Sequence, residues 1–422
     1  MTLNKNAINE DADDNFRIRS TVISKPIAYT YVLSILYNVV FFMQLVASPY
    51  LIKSIGVSDA ENGMIQTAFG ILQMIGGPLF GYCIQKFGIR FSLLLCYSST
   101  FVSGLLLLFS NDLTTLLLSR LPALFMHGQQ SHQTLLSALT EPGKQRTTAF
   151  GRMGLTFGIG FIFTPIFNII STKLISDRGP FLVSSLLCFV PMIVLLKFVD
   201  RERYEAKSEN KESESHMVMN ISNTLYILNK PGTMNVLIKK NLPIIPALLI
   251  FGVMNLYMIN QFNLSQDYNH FLQLVIGVFI MFSNGFGVIW LRKKFTENTM
   301  LYIGSSSFLI GYFLFHFFTS LSMFYFIMPF LSMGMSVQAT VSDSMLTALV
   351  EEREQGLILG ISTSFNSLVR TLAPGLAGYI LDAYGFNMLA SIGMICCCAC
   401  LLILAVNPLD TNLLRKPKTH EE

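Results

Sequence analysis

Twelve apolar stretches, six on each side of one charged linker, leave this chain few ways to fold. Each is close to the ~20 residues a helix needs to cross a ~30 Å hydrocarbon layer. Inside lipid every backbone amide must find its partner within the protein, so such stretches become helices. They fall at approximately 27–52, 62–85, 91–110, 113–138, 147–170, 179–198, 242–262, 269–291, 299–319, 321–349, 356–381 and 386–406, here numbered spans 1 to 12. The 52% hydrophobic and 13% charged content excludes a string of soluble domains. Span 1 starts too late to be a removable leader and lacks a small-residue cleavage site, so it reads as a signal anchor.

The basic residues set the orientation. With a cytoplasmic N-terminus, 24 of the 29 Lys and Arg fall in cytoplasmic tails and loops, and three (Lys53, Lys173 and Arg178) on the opposite side. That asymmetry is the positive-inside rule with both termini cytoplasmic, and it accounts for the basic clusters without a nucleic-acid partner. The organisation is then a cytoplasmic N-tail (1–26), a first six-helix half (27–198), a cytoplasmic linker (199–240), a second six-helix half (241–406) and a cytoplasmic C-tail (407–422). Residues 1–20 read as a solvated, disordered tail. The apolar patch from Ile221 to Leu228 reads as a short interfacial helix within a solvated linker. All seven cysteines sit in or beside spans with no metal-ligand spacing, as small packing residues. Asn263, Leu264 and Ser265 form a glycosylation sequon close to the membrane.

The halves echo each other. Gly151 and Pro165 are 14 apart, as are Gly360 and Pro374, at an offset of 209. Gly81 to Lys86 is echoed by Gly287 to Arg292 at an offset of 206. Near-equal offsets indicate a duplicated six-helix unit, with a ligand site between the halves near mid-membrane.

Charges within spans are the first candidates for chemistry, because burying them in lipid costs roughly 3 kcal/mol or more each. Asp343 is the sole carboxylate read as lying well inside a span, about 12 Å from the cytoplasmic end at ~1.5 Å per residue. Asp382 sits at the far end of span 11. Asp343 could exchange a proton for a cation, with Arg370 or His127 tuning it. Arg370 lies about 9 Å deeper, so a direct pair needs long reach or a bent helix. In span 4, Arg120 and His127 are seven apart, which on a regular helix puts them on one face. Both arginines could instead bind an anion, Arg120 could snorkel at the far end of span 4, and Arg370 could form a structural ion pair with Asp343. Gln129, Gln130, His132 and Gln133 read as helix–helix hydrogen-bonding groups. Asn38, Gln44, Gln66, Gln73, Asn255 and Gln338 are candidates for lining a cavity, beside a Met-rich span 10.

Between spans 2 and 3 the chain carries Gly81, Gln85, Lys86, Gly88 and Arg90. This resembles the loop 2–3 signature of the major facilitator superfamily, in which the position of Gln85 usually holds Asp. An amide cannot form the charge-assisted latch that a carboxylate can. Gly151, Gly154, Gly158, Gly160 and Pro165 in span 5 resemble the glycine–proline signature of drug:proton antiporters, with Thr164 in place of a glycine. Pro374 and Gly378 give span 11 its own version. Within the superfamily the chain is similar to organic-cation-transporter-like members of solute carrier family 22, through Phe42 to Gln44, Ile65 to Gly81, Ser119 to His127, Gly151 to Gly160, Val341 to Leu346 and Arg370 to Gly378.

The resemblance implies an all-α membrane protein of twelve transmembrane helices in two pseudo-symmetric six-helix halves, the major facilitator fold, working by alternating access. It implies proton-linked export of organic cations by a functional monomer in the plasma membrane or an endomembrane. The alternatives are an organic anion or sugar-phosphate carrier, or a non-transporting scaffold or receptor. No catalytic constellation, cofactor motif or metal cluster is expected.

Overall fold

The computed structural model describes residues 15–18, 21–57, 59–198, 221–262 and 266–408. Span 1 is Lys25–Ser54. Spans 2 and 3 run together over Asp59–Leu108 and part at Gly88, whose φ of +83° suits glycine and forces the chain to turn. Span 5 is Lys144–Leu174, span 6 is Gly179–Leu187 followed by Phe189–Phe198, and span 7 is Thr233–Phe262. Span 8 is Gln266–Phe282 and Ile289–Lys294, joined by a wide π turn, Ser283–Val288. Spans 9 to 12 are Glu297–His316, Leu321–Leu349, Gln355–Tyr384 and Phe386–Val406.

Span 4 is broken. A turn of helix, Leu113–Leu118, gives way to a 3₁₀ segment, Leu121–Phe125, and regular helix resumes over Gly128–Leu139. Gln73 of span 2 repairs the break, its Nε2 donating to the Ala123 carbonyl at 2.6 Å and to that of Met126 at 3.5 Å. Prolines free further carbonyls, because a proline offers no N–H to the residue four earlier. Pro78 releases the Met74 carbonyl, which accepts from Ser364 of span 11. Pro243 releases that of Lys239, which accepts from Gln338 and Cys400.

Two segments depart from the sequence reading. Asn15–Ile18, expected within a disordered tail, pairs antiparallel with Thr21–Ser24, Asn15 opposite Ser24. Span 7 starts at Thr233 rather than near 242, so Lys239 and Lys240 are buried in a helix instead of solvated in the linker. Ile221–Leu228 is helical. The sequon at Asn263, the linker through residue 220 and the C-tail from 409 lie outside the described residues.

The loops between spans 2–3, 4–5, 8–9 and 10–11 share one end of the bundle, called here the basic end for Lys86, Arg90, Lys144, Arg292, Lys293 and Arg353. There the halves meet. Span 2 lies against span 11 through Gly77, Gly81, Gly356 and Gly360: a Cβ at Gly81 would come within 2.7 Å of the Leu357 Cα. Gly151, Gly154 and Gly158 of span 5 lie against Val288, Asn284 and Met281 of span 8. Both pairs of helices approach this closely because side chains are missing from the contact.

A Cβ at Gly360 would overlap the Gly77 carbonyl oxygen, which is backbone and cannot step aside. Gly360→Val is therefore expected to cost about 1–3 kcal/mol, as overpacking of a tight interface does. Thermal unfolding of the purified protein should show the lower midpoint, while Gly375→Ala, with nothing within 4 Å, should leave it unchanged.

Candidate functional site

Asp343 sits on span 10 about 9 Å from that helix's basic end, six residues before Leu349 at ~1.5 Å each. It is buried, and its partner is Lys240, equally buried on span 7, which ion-pairs with Oδ1. Lys240 also donates to Ser362 Oγ of span 11 at 2.7 Å. The second carboxylate oxygen faces the other half: Gln133 Nε2 of span 4 donates to Oδ2 at 3.2 Å. One acid thus joins three spans of its own half to one of the opposite half. An ionised carboxylate only accepts, so an ammonium and an amide N–H are the donors it needs once water is removed.

Around this pair the seam is stitched with uncharged groups and one arginine. Gln130 Nε2 donates to the carbonyls of Gly77 at 3.0 Å and Gly356 at 2.9 Å, bridging the halves. Ser137 donates to Gln355 Oε1 at 2.6 Å, and Gln355 Nε2 to the Thr347 carbonyl at 3.1 Å. Thr147 and Ser344 share a hydrogen bond of 2.9 Å. Arg146 closes the C-terminus of span 4 by donating to the Ser137 and Thr140 carbonyls, both at 2.7 Å, and reaches Thr347 Oγ1 at 3.3 Å. With Ser364 on the Met74 carbonyl, these six cross-half hydrogen bonds lie between the basic end and the level of Ser364. The basic end is closed.

The other candidates are spread out. Arg370 does not reach Asp343. It lies halfway along span 11 with its side chain exposed at the protein surface, and among the described residues no hydrogen bond or ion pair engages it. Arg120 is buried with its guanidinium 5.9 Å from the Phe69 ring centroid and Nε unpartnered. His127 is buried with both ring nitrogens unpartnered, beside Gly76 and 5.6 Å from the Phe80 ring. The 3₁₀ segment lies between Arg120 and His127, so regular helical spacing does not place them on one face. His132 bonds Tyr97 at 2.9 Å, and Gln130 and Gln133 bond between helices, whereas Gln129 is exposed.

Most polar candidates for a cavity wall are packed instead. Asn38 donates to Ser34 at 3.4 Å and lies against Gly160. Gln44 donates to the Thr100 carbonyl at 3.0 Å, Gln73 serves the break in span 4, and Gln338 caps the Lys239 carbonyl. Only Gln66 is exposed, and the Asn255 side chain lies outside what is described. In loop 2–3 the Gln85 side chain makes no hydrogen bond among the described residues, Lys86 extends over Tyr82 and Phe87, and Arg90 donates to the Leu196 carbonyl of its own half at 2.9 Å. The glycines of span 5 pack as expected up to Gly160, and Pro165 lies within the continuous helix. In span 11, Gly378 faces open space; Ala373 and Ala377 make the close contact beside Pro374, with Ala373 against Gly252.

Lys240 was hidden in the sequence because it follows Lys239 after a polar linker, where basic residues are ordinarily solvated. The signal that could have revealed it is arithmetic: a lone buried acid requires a buried cation.

A model of the Major Facilitator Superfamily matches residues 30–292 and again 248–422. The chain belongs to this superfamily. Solute carrier family 22 member 18 of Mus musculus is 28% identical over 391 residues, spanning 91% of this chain and 96% of that one. Solute carrier family 67 member A1 of Homo sapiens is 25% identical over 398 residues, 92% and 93% of the two chains. Among solved structures, the human organic anion transporter MFSD10 superposes with a TM-score of 0.73 at 15% identity, covering 90% of this chain and 98% of that one. The protein is therefore a membrane transporter of the major facilitator fold and not an enzyme.

Removing one member of a buried ion pair leaves the other charge in low dielectric, at about 3–5 kcal/mol. Lys240→Met should lower the unfolding midpoint accordingly, and Lys240→Met with Asp343→Leu should recover most of the loss. A double variant no more stable than Lys240→Met would mean that the pair is not coupled.

Proposed function

We propose that this transporter is a proton-coupled antiporter of organic solutes, working by alternating access, with Asp343 as the group at which a proton and a cation compete. The observation that carries this reading is the position of Asp343 at the seam, held by Lys240 from its own half and Gln133 from the other. A carboxylate there holds a proton or a cation but not both. Lys240 is the resident cation that an incoming organic cation or a proton displaces. The basic end faces the cytoplasm by the positive-inside rule, so the state described is closed toward the cytoplasm. The working unit is a monomer, in the plasma membrane or an endomembrane.

A second reading has one observation in its favour. An arginine facing lipid at mid-membrane would be costly, so the space that Arg370 faces is aqueous. An unpaired guanidinium in that space suits a carboxylate or phosphate, which points to an organic anion as solute.

Proteoliposomes with an imposed pH gradient separate these. Asp343→Asn should abolish pH-driven counter-transport of a cation panel while expression is retained. Unchanged pH coupling in that variant would remove Asp343 from the mechanism. Arg370→Gln should leave cation exchange intact; a loss of anion transport of about tenfold or more, the scale of one lost charge-assisted contact, would favour the second reading.

A further inference from the structure

We propose that Gln133 is the residue that carries the charge state of Asp343 across to the other half, so that neutralising the acid opens the basic end. This rests on Asp343 as the coupling group and adds the part that converts its chemistry into movement.

The geometry is specific. Gln133 is buried on the unbroken final piece of span 4, and its amide reaches Asp343 Oδ2 from the opposite half. Of the six cross-half hydrogen bonds described above it is the one whose acceptor bears a charge, and the other carboxylate at this seam, Glu352, interacts with Arg146 at the rim of the basic end. The others join amides, hydroxyls, carbonyls or the Arg146 guanidinium to neutral acceptors, and a proton arriving at Asp343 leaves those unchanged. A hydrogen bond to a carboxylate is about twice as strong as one to a neutral group. Protonating Asp343 therefore weakens this single stitch while the rest of the seam persists.

The surroundings leave Gln133 as the relay. Lys240 and Ser362 belong to the same half as Asp343, so their rearrangement moves no boundary. The charged groups facing Asp343 are Lys240 from span 7 and, one turn along span 10, Arg146 from span 5, which contacts Thr347. Spans 4 and 11 bring the uncharged Gln133 and Ser362. Among the described residues loop 2–3 offers no competing latch, since the Gln85 side chain makes no hydrogen bond there and Arg90 is turned to its own half. The amide at the seam occupies the role that an acidic latch would fill in the loop.

The test uses the full-length protein in membranes, with native cysteines replaced and one reporter, Leu357→Cys. Leu357 is a buried residue of span 11 whose Cα lies against Gly81 of span 2 at the basic end. A maleimide reaches it only when that end opens. With Gln133 present, labelling should be slow at neutral pH and rise about tenfold at acidic pH, the shift that losing one charge-assisted hydrogen bond produces in a two-state equilibrium. Gln133→Met, close in shape but without the amide, should label fast at both pH values. Asp343→Asn should do the same, and adding Gln133→Met to it should change nothing further, because both remove one interaction. Should Gln133→Met not fold, Asp343→Asn with Gln133 intact interrogates the bond from the other side, and slow labelling there would overturn the proposal. Fast labelling in Gln133→Met that still responds to pH would also overturn it, leaving Asp343 as the coupling group. A parent without pH response, matched by Asp343→Asn, would overturn both.

Discussion

Asp343 is a carboxylate withdrawn from water at the boundary between two halves of a membrane protein, and an isolated ion there would carry a penalty of several kcal/mol. Two donors lift the penalty, and they come from different places. Lys240 travels with Asp343 in the second half, whereas Gln133 belongs to the first. In the state described, the acid is ion-paired within its own half and hydrogen-bonded by the other. A seam with that asymmetry can part without stranding a bare charge, which a seam held by a cross-half ion pair could not do.

The rest of the closed end is compatible with parting for the same reason. Apart from the Arg146 guanidinium on Thr347, its hydrogen bonds run between amides, hydroxyls and backbone carbonyls, and two of the acceptors exist because the chain supplies them locally. Pro78 frees the Met74 carbonyl for Ser364, and the Gly356 carbonyl is reachable because the helix carries no side chain there. Glycine faces on spans 2, 5 and 11 let backbones approach and slide with little side-chain interlock. Toward the opposite end Gly70 of span 2 still lies against Thr371 of span 11, while Arg370 and Gln66 are exposed. The broken span 4 lies beside that transition, with Arg120 and His127 buried on either side of the 3₁₀ segment and polar atoms unpartnered.

The architecture was legible in the sequence because lipid admits few alternatives: twelve apolar runs and a repeated glycine–proline spacing leave one arrangement of two six-helix halves. The glycines of span 5 and the buried acid were legible for related reasons, since small residues at helical spacing and a carboxylate in an apolar run each have few explanations. What stayed hidden needed three dimensions. Lys240 looks solvated until span 7 is extended back to Thr233. The break in span 4 invalidates a helical spacing argument from Arg120 to His127, and nothing in Leu121 to Phe125 beyond Pro122 announces a 3₁₀ turn. Asn38, Gln44, Gln73 and Gln338 are polar residues in apolar helices, which fits a cavity wall and a structural repair equally well; only their carbonyl and hydroxyl partners decide it.

The central claim is that the charge on Asp343 sets the separation of the two halves at the basic end. Spin labels at Glu141, in the loop after span 4, and Glu351, in the loop after span 10, both exposed, report that separation directly. Pulsed electron–electron resonance in lipid at neutral pH should give one short distance. Acidification, or Asp343→Asn at any pH, should add a longer distance that grows as the closed population falls. A single unchanged distance under both conditions would contradict the claim.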